Sequence, residues 1–195
     1  MVVGFFLGAV VRSGSLCSGF GGLDLGVQEV FPSELVWVAD VDKAACAVLE
    51  SRFPGVPNLG DIREVDWSTV PDVDILSAGF PCQPFSEAGK REGEADDRNV
   101  WPHVAAAVRV LRPRIVVLEN DSGLPSPGLG TVLGDLAALG FDAEWGSFRA
   151  SEAGAPHQRE RLFVLAYAAG VDVERLLVGP HEGGSRPANG CRGGY

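Results

Sequence analysis

Short apolar runs alternate along this chain with longer stretches in which apolar residues recur three and four positions apart. Gly14 to Cys17, Leu35 to Ala39, Asp74 to Ala78, Ile115 to Leu118 and Leu162 to Ala166 are short and apolar, which predicts strands buried on both faces. Leu23 to Val30, Lys43 to Arg52, Val100 to Leu111 and Leu129 to Leu139 carry the helical period and predict amphipathic helices between those strands. Regular alternation of the two kinds of element is the pattern of an α/β three-layer sandwich around a mainly parallel sheet. Around Asp142 to Arg149 and Leu162 to Tyr167 no helical stretch separates two strand-like segments, so the sheet is expected to end in an antiparallel hairpin. Open sheets of this kind bind ligands beyond the carboxyl ends of their strands, which directs attention to the residues that follow each strand.

A chain of 195 residues with 46% hydrophobic content can form one well-packed domain. That domain is expected over residues 12–168, with 1–11 as an N-terminal extension and the Gly-, Pro- and Arg-rich residues 169–195 as an irregular tail. The apolar run Val2 to Val11 is about half the length a membrane span requires. It also lacks the basic start and cleavage site of a signal peptide. Cys17, Cys46, Cys82 and Cys191 show no paired spacing and no histidines at zinc-ligand distance, so no metal is expected and a reducing cytoplasm fits. A formal charge of −10 is a poor basis for binding phosphates, and taken alone it argues against nucleic acid.

The chemistry-bearing residues all sit at predicted strand ends. Cys17 is followed by Ser18-Gly19-Phe20-Gly21-Gly22, a turn whose glycines let backbone approach a ligand before a helix begins; a purely structural turn is the alternative. Asp40 stands about 20 residues further on, where a carboxylate meets a ribose, although Asp40 or Asp42 could equally cap the helix from Lys43. Asp61, in Gly60-Asp61-Ile62, is a third acid in an equivalent place and could meet an adenine amino group. Gly79-Phe80-Pro81-Cys82-Gln83-Pro84-Phe85-Ser86 presents one thiol on a proline-stiffened loop, which points to a nucleophile rather than a buried inert cysteine. Glu119-Asn120 ends an apolar run, making Glu119 a candidate proton donor or else a structural cap. Arg159 and Arg161 alternate and would share one face of an extended segment, as a pair of carbonyl or anion ligands or as a plain surface cluster.

In this order the segments resemble the cytosine-C5 DNA methyltransferase family, from about Ser15 to Ala166. Leu16 to Gly26 resembles its first motif, Gly79 to Ser86 its nucleophile loop, Glu119-Asn120 its acid motif, Gln158 to Arg161 its arginine motif, and Asp97 to Trp101 its link into the following helix. The resemblance implies a Rossmann-like methyltransferase fold with S-adenosylmethionine held by Cys17 to Gly22, Asp40, Val41, Asp61, Ile62 and Gly79. It implies that Cys82 adds to C6 of cytosine, with Glu119 at N3, Arg161 at O2 and Arg159 supporting Glu119 or a phosphate. Pro81, Gln83, Ser86, Arg98 and Asn120 would meet the substrate DNA. Three positions depart from the family pattern: Cys17 and Val41, where larger side chains usually flank the adenine, and Asp121, which sets a second carboxylate beside Glu119. The family's target-recognition domain and closing motif have no counterpart here, which predicts a truncated enzyme needing a complementing subunit for DNA recognition. A non-catalytic remnant or an RNA-directed enzyme is the alternative.

Overall fold

The structure, a computed structural model, describes residues 10–81, 99–121 and 126–171, with 126 and 127 as backbone only. Six strands form a single sheet: β1 (Arg12–Leu16), β2 (Glu34–Ala39), β3 (Ile75–Ala78), β4 (Ile115–Asp121), β5 (Phe141–Arg149) and β6 (Glu160–Ala168), in spatial order β2-β1-β3-β4-β6-β5. β1 to β4 pair in parallel, and β6 runs antiparallel between β4 and β5. The expected α/β sandwich with its closing hairpin is therefore present. Three strands run two or more residues further than predicted, because β1 begins at Arg12, β4 continues through Glu119 to Asp121 and β6 begins at Glu160.

Four helices connect the strands: α1 (Gly22–Val30), α2 (Lys43–Arg52), α3 (Trp101–Leu111) and α4 (Ser126–Ala138). Local chemistry fixes their ends. Asp42 caps α2 by accepting from the Ala45 amide at 2.8 Å, so of the two candidate caps it is Asp42 that serves and Asp40 that is left for other contacts. Pro102 occupies the first turn of α3, where its missing N–H costs nothing.

Period-two alternation assigns each strand residue to a face. On one face Leu16, Trp37, Leu76, Val116, Leu118 and Val164 pack under α3 and α4, and Trp101 of α3 donates from its indole N–H to Asp135 of α4 at 2.8 Å. Gly14 exists to admit Trp37, since a Cβ there would stand 2.3 Å from the indole ring. On the opposite face α1 covers Ile75 and Ile115 through Val27 and Phe31, while α2 covers Leu35 and Val38 through Leu49. Beyond α1 that face opens. Val117, Phe163 and Leu165 are only partly buried and Phe148 is 58% exposed, which corrects the expectation that the central strands are buried on both faces. Periodicity reports that a strand is apolar, and it says nothing about whether a helix lies over it.

Candidate active site

The glycine turn after β1 is folded by backbone conformations that glycine tolerates and by one carboxylate. Gly19 and Gly21 have φ of 54° and 74°, and Cys17 also lies in the left-handed region at 50°. A Cβ on Gly21 would fall 2.5 Å from the Phe53 ring, so this glycine is required for α1 to begin against the end of α2. The Gly19 amide donates to Asp40 Oδ2 at 2.8 Å, and Arg52 donates to the Phe20 carbonyl at 2.7 Å. Ser18 is buried, its amide donating to the Ala39 carbonyl and its hydroxyl accepting from the Ala39 amide, each at 3.3 Å. Phe20 and Gly22 line the cavity that opens beyond this turn.

Asp40 faces two ways. Its Oδ2 organises the glycine turn and its Oδ1 accepts from the Asp42 amide at 2.9 Å, while Asn58 bonds both its amide and its carbonyl. Asp61 is engaged by Arg63 through both carboxylate oxygens, and this guanidinium holds its carboxyl down to about 2. Ile62 beside it is buried, whereas Val41 is exposed. Asp40 and Asp61 both bear on Cys17: burial first, then these two negative charges, push the thiol up to about 12. Cys17 is therefore no nucleophile at neutral pH. Of the four residues expected to flank the glycine turn, Asp40 and Asp61 bear on it at Gly19 and Cys17, whereas Val41 is exposed.

Across the sheet edge, the ends of β3, β4 and β6 converge. Arg161 Nε lies 2.8 Å from Glu119 Oε1, and its Nη1 lies 2.9 Å from Asp121 Oδ2. Glu119 ends an apolar run and yet is held at a sheet edge with its side chain about a quarter exposed. The partner of Glu119 is Arg161 and not Arg159. Antiparallel register places Arg161 directly opposite Asp121, two residues along the same face from Glu119, whereas Arg159 precedes the strand and stands on the cavity wall. Asp121 does not simply add charge beside Glu119, because the same guanidinium bridges the two acids.

Asn120 points to the other face and is buried. Its amide donates to the Phe80 carbonyl at 3.0 Å, and Phe80 packs against Trp101 with ring centroids 5.5 Å apart. Asn120 thereby anchors the backbone that leads to Pro81. Gly79 sits between the two halves, a Cβ on it falling 3.4 Å from the Cys17 carbonyl and 3.5 Å from Glu119 Oε2. Pro81 is exposed. Cys82, Gln83, Ser86 and Arg98 lie outside the described residues.

Between these elements a cavity of about 670 Å³ runs from the glycine turn along α1, past Gly79, Glu119 and Arg159, to Val117 and Leu165. That volume suits a ligand of nucleoside size. Its lining sets the glycine turn at one end and Glu119 with Arg159 beyond Gly79, along an apolar wall of Val27, Phe31, Val117 and Leu165. Sequence reasoning missed three of the site's supports: Asn58, Arg52 and Asp24. Asp24 had a visible signal, being an acid on the buried 24–27–31 stripe of α1. Among the described residues no group of His, Cys, Asp and Glu could hold a metal ion, and no helix is long and apolar enough to cross a membrane.

The family model for the C-5 cytosine-specific DNA methylases matches residues 11–183. Type II methyltransferase M1.ScrFI of Lactococcus lactis subsp. cremoris is 34% identical over 157 residues, which cover 78% of this chain and 40% of that protein. Type II methyltransferase M.HaeII of Haemophilus aegyptius is 36% identical over 157 residues, 78% of this chain and 49% of its own length. The chain thus spans about half the length of the curated relatives it matches or less. Among solved structures, the DNMT2 of Spodoptera frugiperda superposes with a TM-score of 0.70 at 22% identity, over 83% of this chain and 51% of that one. The Dnmt2 methyltransferase of S. pombe gives 0.64 at 20% identity, over 81% and 51%.

Proposed function

Because the chain belongs to the C-5 cytosine-specific DNA methylase family, we propose that it carries the catalytic half of a DNA cytosine methyltransferase. In this reading Cys82 forms a covalent intermediate with the base. The observation that carries the reading is the Glu119–Arg161 pair, set beside the anchored root of the Cys82 loop and across Gly79 from the glycine turn. S-adenosylmethionine, when bound, supplies the methyl group as an electrophile. The glycine turn at the cavity's end, with Phe20 on the wall, would hold it, and Asp40 and Asp61 stand behind that turn at Gly19 and Cys17.

The remaining chemistry belongs to side chains of this chain. Cytosine C5 is a poor nucleophile until a thiolate adds at C6, so the Cys82 sulfur forms a bond to C6 and the ring electrons move to C5. Glu119 in its protonated form donates to N3 as negative charge develops on the ring, and takes that proton back when the ring double bond re-forms. Arg161 has five donors in a planar fork, enough to hold Glu119 and the O2 carbonyl together, and Arg159 stands on the same wall for a phosphate or for O2. After methylation the C5 proton passes to solvent, its bonding pair forms the C5–C6 double bond, and the C6–sulfur pair leaves with Cys82 as the thiolate. The base must leave the duplex to reach these groups, at a cost of about a few kcal/mol repaid by contacts to its edge.

Recognition of DNA is assigned to a complementing subunit carrying the target-recognition domain. Two observations support this: the charge of −10, which opposes phosphate binding by this chain alone, and the apolar half-face of β4 and β6 beside the cavity, which the described residues leave only partly buried. Transfer of labelled methyl groups to cytosine-containing duplex, measured for the chain alone and with a recognition domain supplied in trans, tests the reading. Methylation abolished by Cys82→Ser is expected, and no transfer under either condition contradicts it.

A further inference from the structure

Asp24 is the third residue of α1 and is 2% exposed, yet no Lys, Arg or His among the described residues bonds to it. Its Oδ1 is 2.6 Å from the Ser77 hydroxyl, and that same hydroxyl is 3.3 Å from the Gly14 carbonyl. Ser77 has one proton for two acceptors. If Asp24 carries a proton and donates it to Ser77, Ser77 donates in turn to Gly14 and the chain of bonds closes. If Asp24 is ionised, a charge lies in the sheet interior with Oδ2 buried and accepting no hydrogen bond among the described residues, an arrangement folding strongly disfavours. Ser15 of β1 and Ser77 of β3 are register partners, and both hydroxyls act on the Asp24 carboxyl, Ser77 by the 2.6 Å bond.

We propose that Asp24 is a positioning residue of the cofactor site: as a neutral acid it clamps the first turn of α1 onto the Ser15–Ser77 pair and thereby fixes the glycine turn at the cavity's end. The proposal rests on the cofactor assignment above. Its geometry is direct, because Asp24 lies two residues beyond Gly22 and Ser15 two residues before Cys17, so the clamp closes the loop at its base. Burial raises the Asp24 carboxyl, opposed by its bonds to Ser77, Ser15 and its own backbone. The other titratable groups on the surrounding elements are Cys17 after β1, Glu119 at the end of β4, Arg159 on the cavity wall and Glu29 near the far end of α1. None of them is bonded to Asp24.

The test compares wild type with Asp24→Asn, Asp24→Leu and Ser77→Ala by calorimetric titration with S-adenosylmethionine and by unfolding midpoint across pH. Asn keeps a donor and an acceptor in the same shape, so its cofactor affinity should stay within about threefold of wild type, whereas Leu should lose tenfold or more. Ser77→Ala, a milder change in case Leu fails to fold, should weaken binding several-fold. Sign decides the pH arm. A carboxyl raised in the folded state favours folding below its unfolded value and loses that benefit as pH climbs through the folded value, so wild type should lose stability relative to Asp24→Asn as pH rises above about 4. Asn binding as poorly as Leu, or a midpoint difference that stays constant with pH, overturns the proposal. If wild type binds no S-adenosylmethionine, the cofactor reading fails on its own, and the clamp stands or falls on the pH dependence of the midpoint.

Discussion

The two faces of the central sheet are built from the same strands and do different things. Under α3 and α4, Leu76, Val116, Leu118 and Val164 are sealed, and the helices answer with Val104, Val108 and Leu136. Under α1 the opposite face carries Ser15, Ser77, Glu119 and Arg161, meets Asp24 from above, and lies open at Val117, Phe163 and Leu165. Because successive side chains point to opposite faces, each strand can devote alternate residues to scaffold and to chemistry. The stable half positions the reactive half without lending it any apolar cover.

The largest contrast should come from truncating the two faces in turn. Leu118→Ala on the sealed side should cost about 2–5 kcal/mol in urea denaturation, by lost transfer energy and a cavity that cannot collapse. Leu165→Ala on the open side should cost about 1 kcal/mol, because water already reaches that site. Equal costs would break the comparison. Gly14→Ala sharpens it, since the added methyl must displace the sealed Trp37 ring, at about 1–3 kcal/mol and with a changed near-UV signal from that indole. Arg161→Met should reverse the ranking. Its ion pairs are partly exposed, so stability should fall by no more than about 1 kcal/mol. Methyl transfer in the complemented assay should nonetheless drop on the order of a hundredfold through loss of a charge-stabilising donor.

The smallest effect concerns Asp61, held down to about 2 from 3.8 chiefly by Arg63. A depressed carboxyl contributes stability above its unfolded value and loses it as pH falls through the folded one, so wild type should lead Arg63→Ala at neutral pH and the gap should narrow between about pH 4 and pH 2. Arg63 is half-exposed, which keeps the gap below about 1 kcal/mol. A gap that widens on acidification would mean that the pair is not what holds Asp61.

Periodicity was enough for the α/β sandwich and its terminal hairpin, because alternating periods of two and near four are set by element type alone. Residue chemistry and spacing were enough to gather Cys17, Asp40, Asp61, Gly79 and Glu119 at one sheet edge, because in parallel strands the carboxyl ends fall together. What remained hidden depends on register and on coverage. Glu119 takes Arg161 rather than Arg159 because β6 pairs with β4 so that Arg161 faces Asp121, and a slip of one residue would have pointed it to the other face. Asn120 faces away from the cavity for the same reason, and its amide anchors the Phe80 carbonyl. Asp24 breaks an apolar stripe, but nothing in the stripe reveals the two serines beneath it.

The most direct test of the central claim replaces the C5 hydrogen of cytosine in duplex DNA with fluorine, so that the elimination step is blocked and the enzyme–base bond persists. The chain, with a recognition domain supplied, is incubated with this DNA and S-adenosylmethionine, digested and mapped by mass spectrometry. The account predicts a cofactor-dependent adduct on the peptide containing Cys82 and none on that of Cys17, whose thiol stays protonated at neutral pH. Absence of an adduct while the chain binds cofactor and DNA, or an adduct on any other cysteine, would contradict it.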